Sequence, residues 1–465
     1  MKVAKFGGSS LADAKQIKKV CDIILSDAER RIIVVSAPGK GENDSCKVTD
    51  MLIDTAVAAL DSGTEEARVH MDKIAARFSS IANDLGVPGV GERIKGDLYA
   101  LLRCGMADKG RFTDMMKAAG EDNCAKLVAA YLTSLGCNAV YVNPCECGML
   151  LSDEFGNAEV LERSYDLLRE NLAKITDGGG VVVFPGFFGC TEAGEIATFP
   201  RGGSDITGAI LAAAVGANVY ENFTDVDYVY SANPNVVKNP RPVKTLTYRE
   251  MRELSYCGFN VYQDEALLPV YRAGIPVNIR SVNNPSCPGT RIVSQREGES
   301  GCSDVRVVGI ASDSGFASIY VTKYMVNREI GFGRRLLSII EDEGISYEHT
   351  PTGIDDLNVI LREALLTNGK LERIIERIKI ELRPDVIDVV RDLSLIVVVG
   401  EGMKHGIGVA ATATSALSEA GANISMISQG SSEVSMIFAV ESQNAGDGVR
   451  ALYNVFFEGE VLNGA

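Results

Sequence analysis

The chain has 465 residues, of which 46% are hydrophobic and 23% are charged, and its formal net charge is −16. This length exceeds what one hydrophobic core usually supports, so two to four domains are expected. The negative charge argues against a nucleic-acid partner. Since no apolar run reaches about 18 residues, we expect no membrane-spanning helix.

The eleven cysteines are scattered along the chain, and no signal peptide is recognisable before the first predicted strand. We therefore expect reduced thiols in a cytoplasmic protein. Cys145 and Cys147 are the only close pair, and their spacing differs from the C-x-x-C of zinc and redox sites. No metal-binding residues are predicted.

A short predicted strand at the N-terminus carries Lys5 and ends in the turn Gly7-Gly8-Ser9. Glycine allows a ligand to approach the backbone closely, and the free N–H groups of a following helix favour an anion. The stretch fits a phosphate-binding turn with a lysine at its edge, but it also fits an ordinary strand–turn–helix connection. It matches neither the Walker A pattern nor G-x-G-x-x-G.

Apolar strand-like runs then alternate with helical patterns through the first 280 residues. The runs lie at 32–35, 139–142, 181–184 and 275–279, and residues 64–135 are mostly helical. This order predicts an α/β fold with a mainly parallel sheet, helices on both faces, and ligands at the carboxyl ends of the strands.

One loop of this region repeats the design of the N-terminal turn. It is Arg201-Gly202-Gly203-Ser204-Asp205, which combines two glycines with a hydroxyl before an apolar helix. Ser204 or Asp205 is predicted to cap that helix.

The composition changes after residue 284. Residues 285–304 are rich in Pro, Gly, Ser and charge, which is typical of a linker. Strands are predicted near 317–323 and 357–361 and helices near 332–343 and 367–378. A second unit follows, with a helix near 408–420 and strands near 423–428 and 434–440. The similar order of the two units predicts an internal duplication.

The motifs occur in the order seen in aspartokinases, and the chain resembles that family along its whole length. The segments that carry the resemblance are Lys5-Phe6-Gly7-Gly8-Ser9-Ser10, Gly120-Glu121, Arg201-Gly202-Gly203-Ser204-Asp205, Thr224-Asp225-Val226-Asp227, and Val399-Gly400-Glu401-Gly402-Met403 with Gly421-Ala422-Asn423-Ile424.

The resemblance implies an amino-acid-kinase fold at 1–284, the linker at 285–304, and two α+β ACT domains. The first ACT domain would comprise 305–388 plus 455–465, with the second, 389–454, inserted before its last strand at 455–462. No fused dehydrogenase domain is expected, so the enzyme would be monofunctional.

Aspartokinases transfer the γ-phosphoryl group of ATP, with Mg²⁺, to the side-chain carboxylate of aspartate, the first step of lysine, threonine and methionine biosynthesis. Because that carboxylate has a pKa of about 3.9, it is ionised at neutral pH and needs no general base. The reaction needs alignment of two anions and neutralisation of charge. No side chain has to hold the metal, since ATP phosphates and water would do so.

The family's functional residues carry over to matching positions of this sequence. Lys5 would contact the transferring phosphoryl group and Asp205 would orient Lys5, while Glu121 would bind the amine of aspartate and Arg201 a carboxylate. The implied aspartate-binding residues are Thr49, Glu121, Arg201, Gly202, Gly203 and Ser204. The implied ATP-binding residues are Lys5, Gly7, Gly8, Ser9, Thr224, Asp225 and Tyr230.

The ACT resemblance implies feedback regulation at a dimer interface, and hence a homodimer or larger homo-oligomer. We expect lysine as the effector, with threonine as the alternative. The matching effector positions are Met325, Gly331, Phe332 and Gly333, with Tyr347 and Glu348 on the following strand, and Glu348 would bind an amine.

Three departures from the family concern the nucleotide side and leave the exact ATP contacts open. They are Asn233-Pro234-Asn235 in place of Asp-Pro-Arg, Asn260 in place of a lysine, and Gln263-Asp264 in place of His-Pro. Among these residues, Asn235 and Asn260 are the support for the hypothesis of a non-catalytic amino-acid sensor. The intact Lys5, Arg201 and Asp205 argue against that hypothesis. A kinase of glutamate or acetylglutamate is a further hypothesis, which the ACT segment and the chain length oppose.

Overall fold

A computed structural model describes residues 1–41, 45–106, 108–259, 262, 264–296, 306–404 and 406–458. The chain forms two compact units. The N-terminal unit comprises Met1–Val229, Lys244–Tyr248 and Asn260–Glu297, and the C-terminal unit comprises Tyr230–Val243, Arg249–Phe259 and Gly298–Ala465. Among the residues described, none of the helices combines the length and apolarity needed to cross a membrane.

The strands are, in chain order, β1 Lys2–Phe6, β2 Arg30–Val35, β3 Ala139–Tyr141, β4 Val181–Pro185, β5 Phe188–Cys190, β6 Ile196–Thr198, β7 Val219–Thr224, β8 Val229–Tyr230, β9 Pro242–Val243, β10 Thr245–Thr247, β11 Val277–Ser281, β12 Thr290–Val293, β13 Gly309–Thr322, β14 Asp356–Arg362, β15 Val386–Val399, β16 Ile424–Ser428 and β17 Ser435–Glu441.

The helices are α1 Ala14–Leu25, α2 Val48–Asp61, α3 Thr64–Asp84, α4 Pro88–Leu101, α5 Lys109–Ser134, α6 Pro144–Cys147, α7 Arg163–Thr176, α8 Gly203–Val215, α9 Tyr248–Tyr256, α10 Leu267–Ala273, α11 Phe332–Asp342, α12 Lys370–Leu382, α13 Val409–Glu419 and α14 Ser442–Tyr453. A π-helical turn, Asn454–Glu458, continues α14. Short 3₁₀ turns lie at Gly8–Leu11, Asp264–Ala266, Val326–Arg328, Glu363–Leu365 and Glu401–Met403.

An eight-stranded sheet with the order β10-β12-β11-β7-β1-β2-β4-β3 forms the centre of the N-terminal unit. Every pairing in it is parallel except β11 with β12. The predicted α/β fold with a mainly parallel sheet is therefore confirmed.

Successive residues of β1 face opposite sides of this sheet, as the pleat requires. Ala4 and Phe6 enter a large apolar cluster that also contains residues of α1 to α5. Lys5 faces the other side, where it meets Asp205 of α8. Burial of a sheet on both faces explains the uninterrupted apolar runs of its central strands.

The predicted linker at 285–304 is wrong in part. Thr290–Val293 is a strand of the central sheet, antiparallel to β11 and parallel to β10. Thr290 and Ile292 are buried, as expected for alternate residues of a strand. This alternation covers only four residues between turn-forming residues, which is too short to be recognised in the sequence. Residues 297–304 lie outside the described part of the chain.

A single five-stranded antiparallel sheet with the order β14-β13-β15-β17-β16 runs through the C-terminal unit. Two apolar clusters pack on it, one with residues of α11 and α12 and the other with residues of α13 and α14. The two predicted strand–helix units are therefore present, and they share the long strands β13 and β15.

The predicted nesting of the two units is wrong. Val307 and Ile310 belong to the cluster of α13 and α14, not to that of α11 and α12. The reason is that the first half of β13 pairs with 393–399 of β15, whereas its second half pairs with β14. The unit of α11 and α12 is therefore inserted into the other one.

Residues 455–462 were predicted to form the last strand of the first unit. This prediction is wrong for residues 455–458, which the structure describes. Asn454–Glu458 is helical, and Phe457 packs with Tyr453 in the cluster of α13 and α14. Residues 459–465 lie outside the described residues.

Two cysteines contradict the expectation of reduced thiols. Cys145 in α6 and Cys190 at the end of β5 form a disulfide, with their Cα atoms 5.2 Å apart. The other cysteines among the described residues are free. Because the pair is separated by 45 residues, only the tertiary fold brings it together.

Candidate functional site

An ion pair at the carboxyl edge of the central sheet joins Lys5 to Asp205. The Lys5 Nζ atom lies 2.6 Å from Asp205 Oδ1, and both side chains are largely buried. A cation held by a carboxylate in a poorly solvated place keeps a fixed position. The pairing predicted from the resemblance is therefore present in the structure, and its catalytic role stays a prediction.

The turn after β1 packs backbone against backbone on the loop after β2. A Cβ atom on Gly8 would lie 2.8 Å from the Ala37 carbonyl oxygen, and one on Gly39 would lie 2.5 Å from the Gly8 carbonyl carbon. The Gly39 N–H donates to the Gly8 carbonyl at 2.8 Å. Both positions therefore require glycine, and the two loops form one surface.

Gly7 lies beside the lysine ammonium, since a Cβ on Gly7 would be 3.7 Å from Lys5 Nζ. The chain then makes a 3₁₀ turn, Gly8–Leu11, before α1 begins at Ala14. Asp13, not a serine of the turn, caps α1 through the N–H of Gln16. The turn Gly7-Gly8-Ser9 thus adjoins Lys5 as predicted, but a full helix does not start directly after it.

Glu121 is buried in the middle of α5, with 5% of its surface exposed. Burial raises the pKa of its carboxyl group to about 8, although the N–H groups of Ala37 and of Glu121 itself donate to the carboxylate. Its Oε2 atom has no hydrogen-bond partner in the described structure. A buried carboxylate oxygen without a donor is costly, so it indicates a place for a ligand that donates.

Gly120 explains how α5 brings Glu121 to the glycine loops. A Cβ there would lie 2.8 Å from the Ala37 Cβ and 3.3 Å from Leu52 Cδ1. The helix therefore touches the loop after β2 and helix α2, whose second residue is the half-buried Thr49. Gly120 therefore lets α5 lie close to this loop, and Glu121 follows directly. A helical sequence pattern alone does not reveal this role of the glycine.

We expect Gly120→Ala to destabilise the protein and to raise KM for aspartate, although alanine is the better helix former. The added methyl group displaces α5 from Ala37, at a cost of about 1–3 kcal/mol in the free energy of unfolding. Gly96 in α4 is the matched control, because no described atom beyond its own helix backbone lies within 4 Å of the position that a Cβ would take. Gly96→Ala is expected to stabilise by about 0.5–1 kcal/mol. Urea unfolding of both variants measures the difference, and equal effects would contradict the close contact.

The loop at 201–205 forms the N-terminus of α8. Gly202 is its N-cap in the left-handed conformation with a φ of 86°, and no side chain caps the helix. The predicted cap by Ser204 or Asp205 is therefore wrong, because the Asp205 carboxylate is held by Lys5 and Ser204 packs against Gly186. Arg201 is exposed at the start of the loop.

Close contact also places the α8 loop at the same sheet edge. A Cβ on Gly186 would lie 2.6 Å from Ser204 Oγ, and the Gly186 N–H donates to the Val35 carbonyl at 2.9 Å. Gly203 lies against Phe187 and Phe199. The ends of β1, β2 and β4 and the start of α8 thus surround one region.

The predicted nucleotide-side residues are divided between the two units. Thr224 ends β7, and its hydroxyl donates to the carboxylate of the exposed Asp225 at 3.1 Å. Tyr230 belongs to the C-terminal unit. Asn233 makes a local turn by accepting from the Asn235 N–H at 2.9 Å. Asn260 and Gln263 lie outside the described residues, as does the side chain of Asp264.

Four of the six predicted effector residues lie around the start of α11. Met325 and Gly331 have left-handed backbones, with φ values of 61° and 77°, and Phe332 and Gly333 begin the helix. Tyr347 and Glu348 follow α11 in a loop, so the prediction that they lie on a strand is wrong.

Both oxygens of the Glu348 carboxylate already have partners. Oε1 accepts from Arg362 Nε at 3.2 Å, and Oε2 accepts from the Tyr256 hydroxyl. Arg362 also pairs with Asp313. An effector amine at Glu348 would therefore have to compete with these donors.

Two residues of the site carried no recognisable signal in the sequence. Asn222 of β7 donates from Nδ2 to Asp205 Oδ1 at 2.6 Å. Arg77 of α3 is buried and donates to the carbonyls of Ala12, Gly39 and Cys46. A single arginine in an amphipathic helix resembles a surface residue, so only its distant partners reveal that it holds these loops.

Residues 1–281 match the amino acid kinase family, and residues 396–456 match the ACT domain. The chain is 50% identical over 464 residues to Aspartokinase 3 of Bacillus subtilis (strain 168), covering 100% of both chains. The structure of Clostridium acetobutylicum aspartate kinase, described as an allosteric enzyme, is similar with a TM-score of 0.84 and 36% identity over 98% of this chain and 100% of that one.

Escherichia coli aspartokinase III is similar in two states at 26% identity. Its complex with aspartate and ADP, the R-state, has a TM-score of 0.79 and covers 98% of this chain and 100% of that one. Its complex with lysine and aspartate, the T-state, has a TM-score of 0.77 and covers 98% and 99%.

Proposed function

The chain belongs to the aspartokinases, within the amino acid kinase family, and from this premise we propose that Lys5, Asp205, Glu121 and Arg201 form its catalytic site. The reaction is the transfer of the γ-phosphoryl group of ATP to the side-chain carboxylate of aspartate. The observation that carries the proposed site is the buried, unpartnered Oε2 of Glu121 at the same sheet edge as the Lys5 ammonium.

Glu121 binds the ammonium group of aspartate in this proposal. The ammonium supplies the donor that Oε2 lacks, and its positive charge offsets the burial of the carboxylate. Arg201 is exposed at the entrance and can form two parallel hydrogen bonds to a carboxylate of the substrate. The Gly203 and Asp205 N–H groups already donate to backbone carbonyls, so the N–H groups of Gly202 and Ser204 are the ones proposed to bind the substrate at the start of α8. The hydroxyls of Thr49 and Ser204 supply further donors.

Lys5 offsets the negative charge of the phosphoryl group while that group passes from ATP to the aspartate carboxylate. Asp205 holds the Nζ atom 2.6 Å away, so the ammonium is in place before the substrates bind. Gly7, Gly8 and Ser9 form the turn that follows Lys5. Because the Gly7 N–H already donates to the Phe223 carbonyl at 3.3 Å, the N–H groups of Gly8 and Ser9 are the backbone donors proposed for phosphate oxygens. Thr224 and Asp225, with Tyr230, are proposed for the nucleotide, and Mg²⁺ would arrive on the ATP phosphates.

Trapping of the acyl phosphate tests this proposal. The protein is incubated with ATP, Mg²⁺ and hydroxylamine together with aspartate, glutamate or acetylglutamate. Aspartyl hydroxamate alone is expected. A hydroxamate of glutamate or acetylglutamate would instead support another kinase of the same fold, and no product from any acceptor would support the non-catalytic sensor.

We further propose that the C-terminal unit binds lysine as a feedback inhibitor and pairs in a homodimer. The support is the T-state complex of the Escherichia coli relative with lysine, together with the grouping of Met325, Gly331, Phe332 and Gly333 at the start of α11. The helix start has no side-chain cap, and the Phe332 N–H already donates to the Glu329 carbonyl, so the next N–H groups, from Gly333 onward, are proposed to receive the carboxylate of an amino acid. Threonine remains the alternative effector.

Tyr256→Phe is expected to make the enzyme more sensitive to lysine. The substitution removes the hydroxyl that occupies Glu348 Oε2, so the lysine amine meets one competitor fewer. Because a hydrogen bond to a charged group contributes about 1.5 kcal/mol, half-maximal inhibition should occur at about tenfold lower lysine concentration.

Glu348→Gln provides the opposite change and should weaken inhibition by about tenfold or more. Both variants should keep the kcat measured without lysine within about twofold. Inhibition curves that coincide with that of the wild type would exclude Glu348 as a ligand of the effector.

We propose domain limits that follow the pairing of the strands. The catalytic domain comprises 1–284 together with β12. One ACT domain contains α11 and α12, and the other contains the first half of β13, α13 and α14.

A further inference from the structure

We propose that Asn222 is a positioning residue for phosphoryl transfer, because its side-chain amide fixes the Asp205 carboxylate against the Lys5 ammonium. This inference rests on the proposed roles of Lys5 and Asp205. It concerns a side chain that touches neither substrate in the proposal and acts through Asp205.

The register of the central sheet aligns the three side chains. Lys5 and Asn222 are direct partners in the parallel pairing of β1 with β7. Partners in register point to the same face of a sheet, and on that face α8 presents Asp205. The three groups therefore converge from two strands and a helix.

A single oxygen receives both donors. Asp205 Oδ1 lies 2.6 Å from Lys5 Nζ and 2.6 Å from Asn222 Nδ2. Two donors on one oxygen define the rotation of the carboxylate more tightly than one flexible lysine can. The position of the ammonium then depends on the amide.

The burial of Asn222 is otherwise unexplained. The residue is 2% exposed in a central strand, between Glu221 and the fully buried Phe223. Asparagine is unfavourable in strands, and a buried amide is costly without a hydrogen-bond partner. The bond to Asp205 supplies that partner.

A neutral donor suits the chemistry better than a second cation or an apolar residue would. It holds the carboxylate without competing with Lys5 for the negative charge. An apolar residue would leave Asp205 to swing with the lysine. We therefore expect the loss of the amide to lower kcat while leaving the binding of aspartate nearly unchanged.

Asn222→Leu tests this expectation. Since a hydrogen bond to a charged group is strong, kcat should fall about 10- to 100-fold, whereas KM for aspartate should change less than about threefold. Asn278→Leu is the matched control, since Asn278 is a half-buried asparagine of the neighbouring strand β11. It should retain the wild-type kcat. Thermal unfolding of both variants reports whether they fold.

Asn222→Asp should produce a pH-dependent change in kcat that a merely structural role of Asn222 would not produce. It preserves the shape but places a second carboxyl group against Asp205, so at low pH the pair shares a proton that can bridge them, and at high pH the two repel. The ratio of variant to wild-type kcat at saturating aspartate should be at least about threefold higher at pH 6 than at pH 8.

Among the described residues, the titratable groups that interact with Asp205 include Lys5, Tyr220 and Tyr262. The Tyr220 hydroxyl donates to the Asp205 backbone carbonyl at 3.2 Å, and Tyr262 lies edge-on to Tyr220. Burial raises the pKa of both tyrosines well above their ordinary value, so neither titrates between pH 6 and 8. A change of the ratio in that interval therefore reports the carboxyl pair.

The outcomes separate this inference from the proposed function. A wild-type chain that forms no aspartyl hydroxamate would overturn the proposed function and the inference together. A fully active wild type with an Asn222→Leu variant of unchanged kcat would overturn the inference alone. An Asn222→Asp ratio that is equal at both pH values would likewise overturn the inference alone.

Discussion

Lys5→Met is expected to lower kcat about a thousandfold, which corresponds to the loss of one preorganised charge from a poorly solvated site. Methionine preserves the apolar stem in the buried position, so the loss reports the ammonium group and not a cavity. KM for aspartate should change less than about threefold, because Glu121 and Arg201 bind that substrate in the proposed site. Initial rates of hydroxamate formation measure both quantities.

Lys2→Met is the matched control on the same strand. Lys2 pairs with Asp27 at 2.7 Å in a partly exposed contact, and nothing assigns it to the site. An exposed or half-exposed pair contributes only about 0–1 kcal/mol to stability, so this variant should remain active and folded. If Lys5→Met retained more than about a tenth of the wild-type kcat, Lys5 would not stabilise the transferring group as proposed.

The sequence was informative where one physical requirement decided the residue types. Strands buried on both faces need continuous apolar runs, so the runs at 32–35 and 181–184 identified β2 and β4 and the parallel sheet. The glycines at 8 and 120 stood out in the sequence, and in the structure both lie so close to Ala37 that a Cβ atom would collide with it. Such requirements act locally and leave a local pattern.

Features that depend on distant partners were not predictable in this way. The strand Thr290–Val293 is too short to stand out among turn-forming residues. The nesting of the ACT units depends on which half of β13 pairs with 393–399, a choice made by long-range register. The bond between Cys145 and Cys190 likewise depends on the fold.

In the candidate site, too, residues with a local sequence pattern were predicted and residues that depend on distant partners were not. Lys5 and Glu121 were found through motifs, whereas Asn222 and Arg77 were missed because their partners lie in other elements. The predicted cap of α8 failed for a related reason. Asp205 is a good capping residue by type, but its carboxylate is engaged by Lys5, and a tertiary ion pair takes precedence over a local hydrogen bond.

Glu121→Gln is expected to lower kcat/KM for aspartate by about 100-fold or more at pH 8.5, since an amide cannot compensate the charge of the substrate ammonium. Asp122→Asn is the neighbouring control, because Tyr141 and Lys126 hold that carboxylate away from Glu121. It should keep kcat/KM within about threefold, which is the scale of a partly exposed pair.

The pH dependence gives this prediction a second test. Burial raises the pKa of Glu121 to about 8 in the free protein, so the carboxyl group is mostly neutral below that pH. Because kcat/KM reports the free enzyme, its wild-type value should rise with pH up to about 8. Glu121→Gln should remove this rise, and a rise that persisted in the variant would assign the titration to another group.

Stability should change in the opposite sense to activity. The folded state holds the Glu121 proton more tightly than the unfolded chain, whose glutamate has the ordinary value of 4.5. This contribution to stability is complete below that value and is lost as pH rises towards about 8.

Glu121→Gln does not undergo this loss, so its thermal midpoint without ligand should exceed that of the wild type at pH 8.5 and approach it near pH 5. Aspartate at one fixed concentration should raise the midpoint of the wild type more than that of the variant, since only the wild-type carboxylate gains the charged ammonium partner. A variant that was both inactive and less stable at pH 8.5 would show that Glu121 supports the fold and would leave the ammonium site without its central residue.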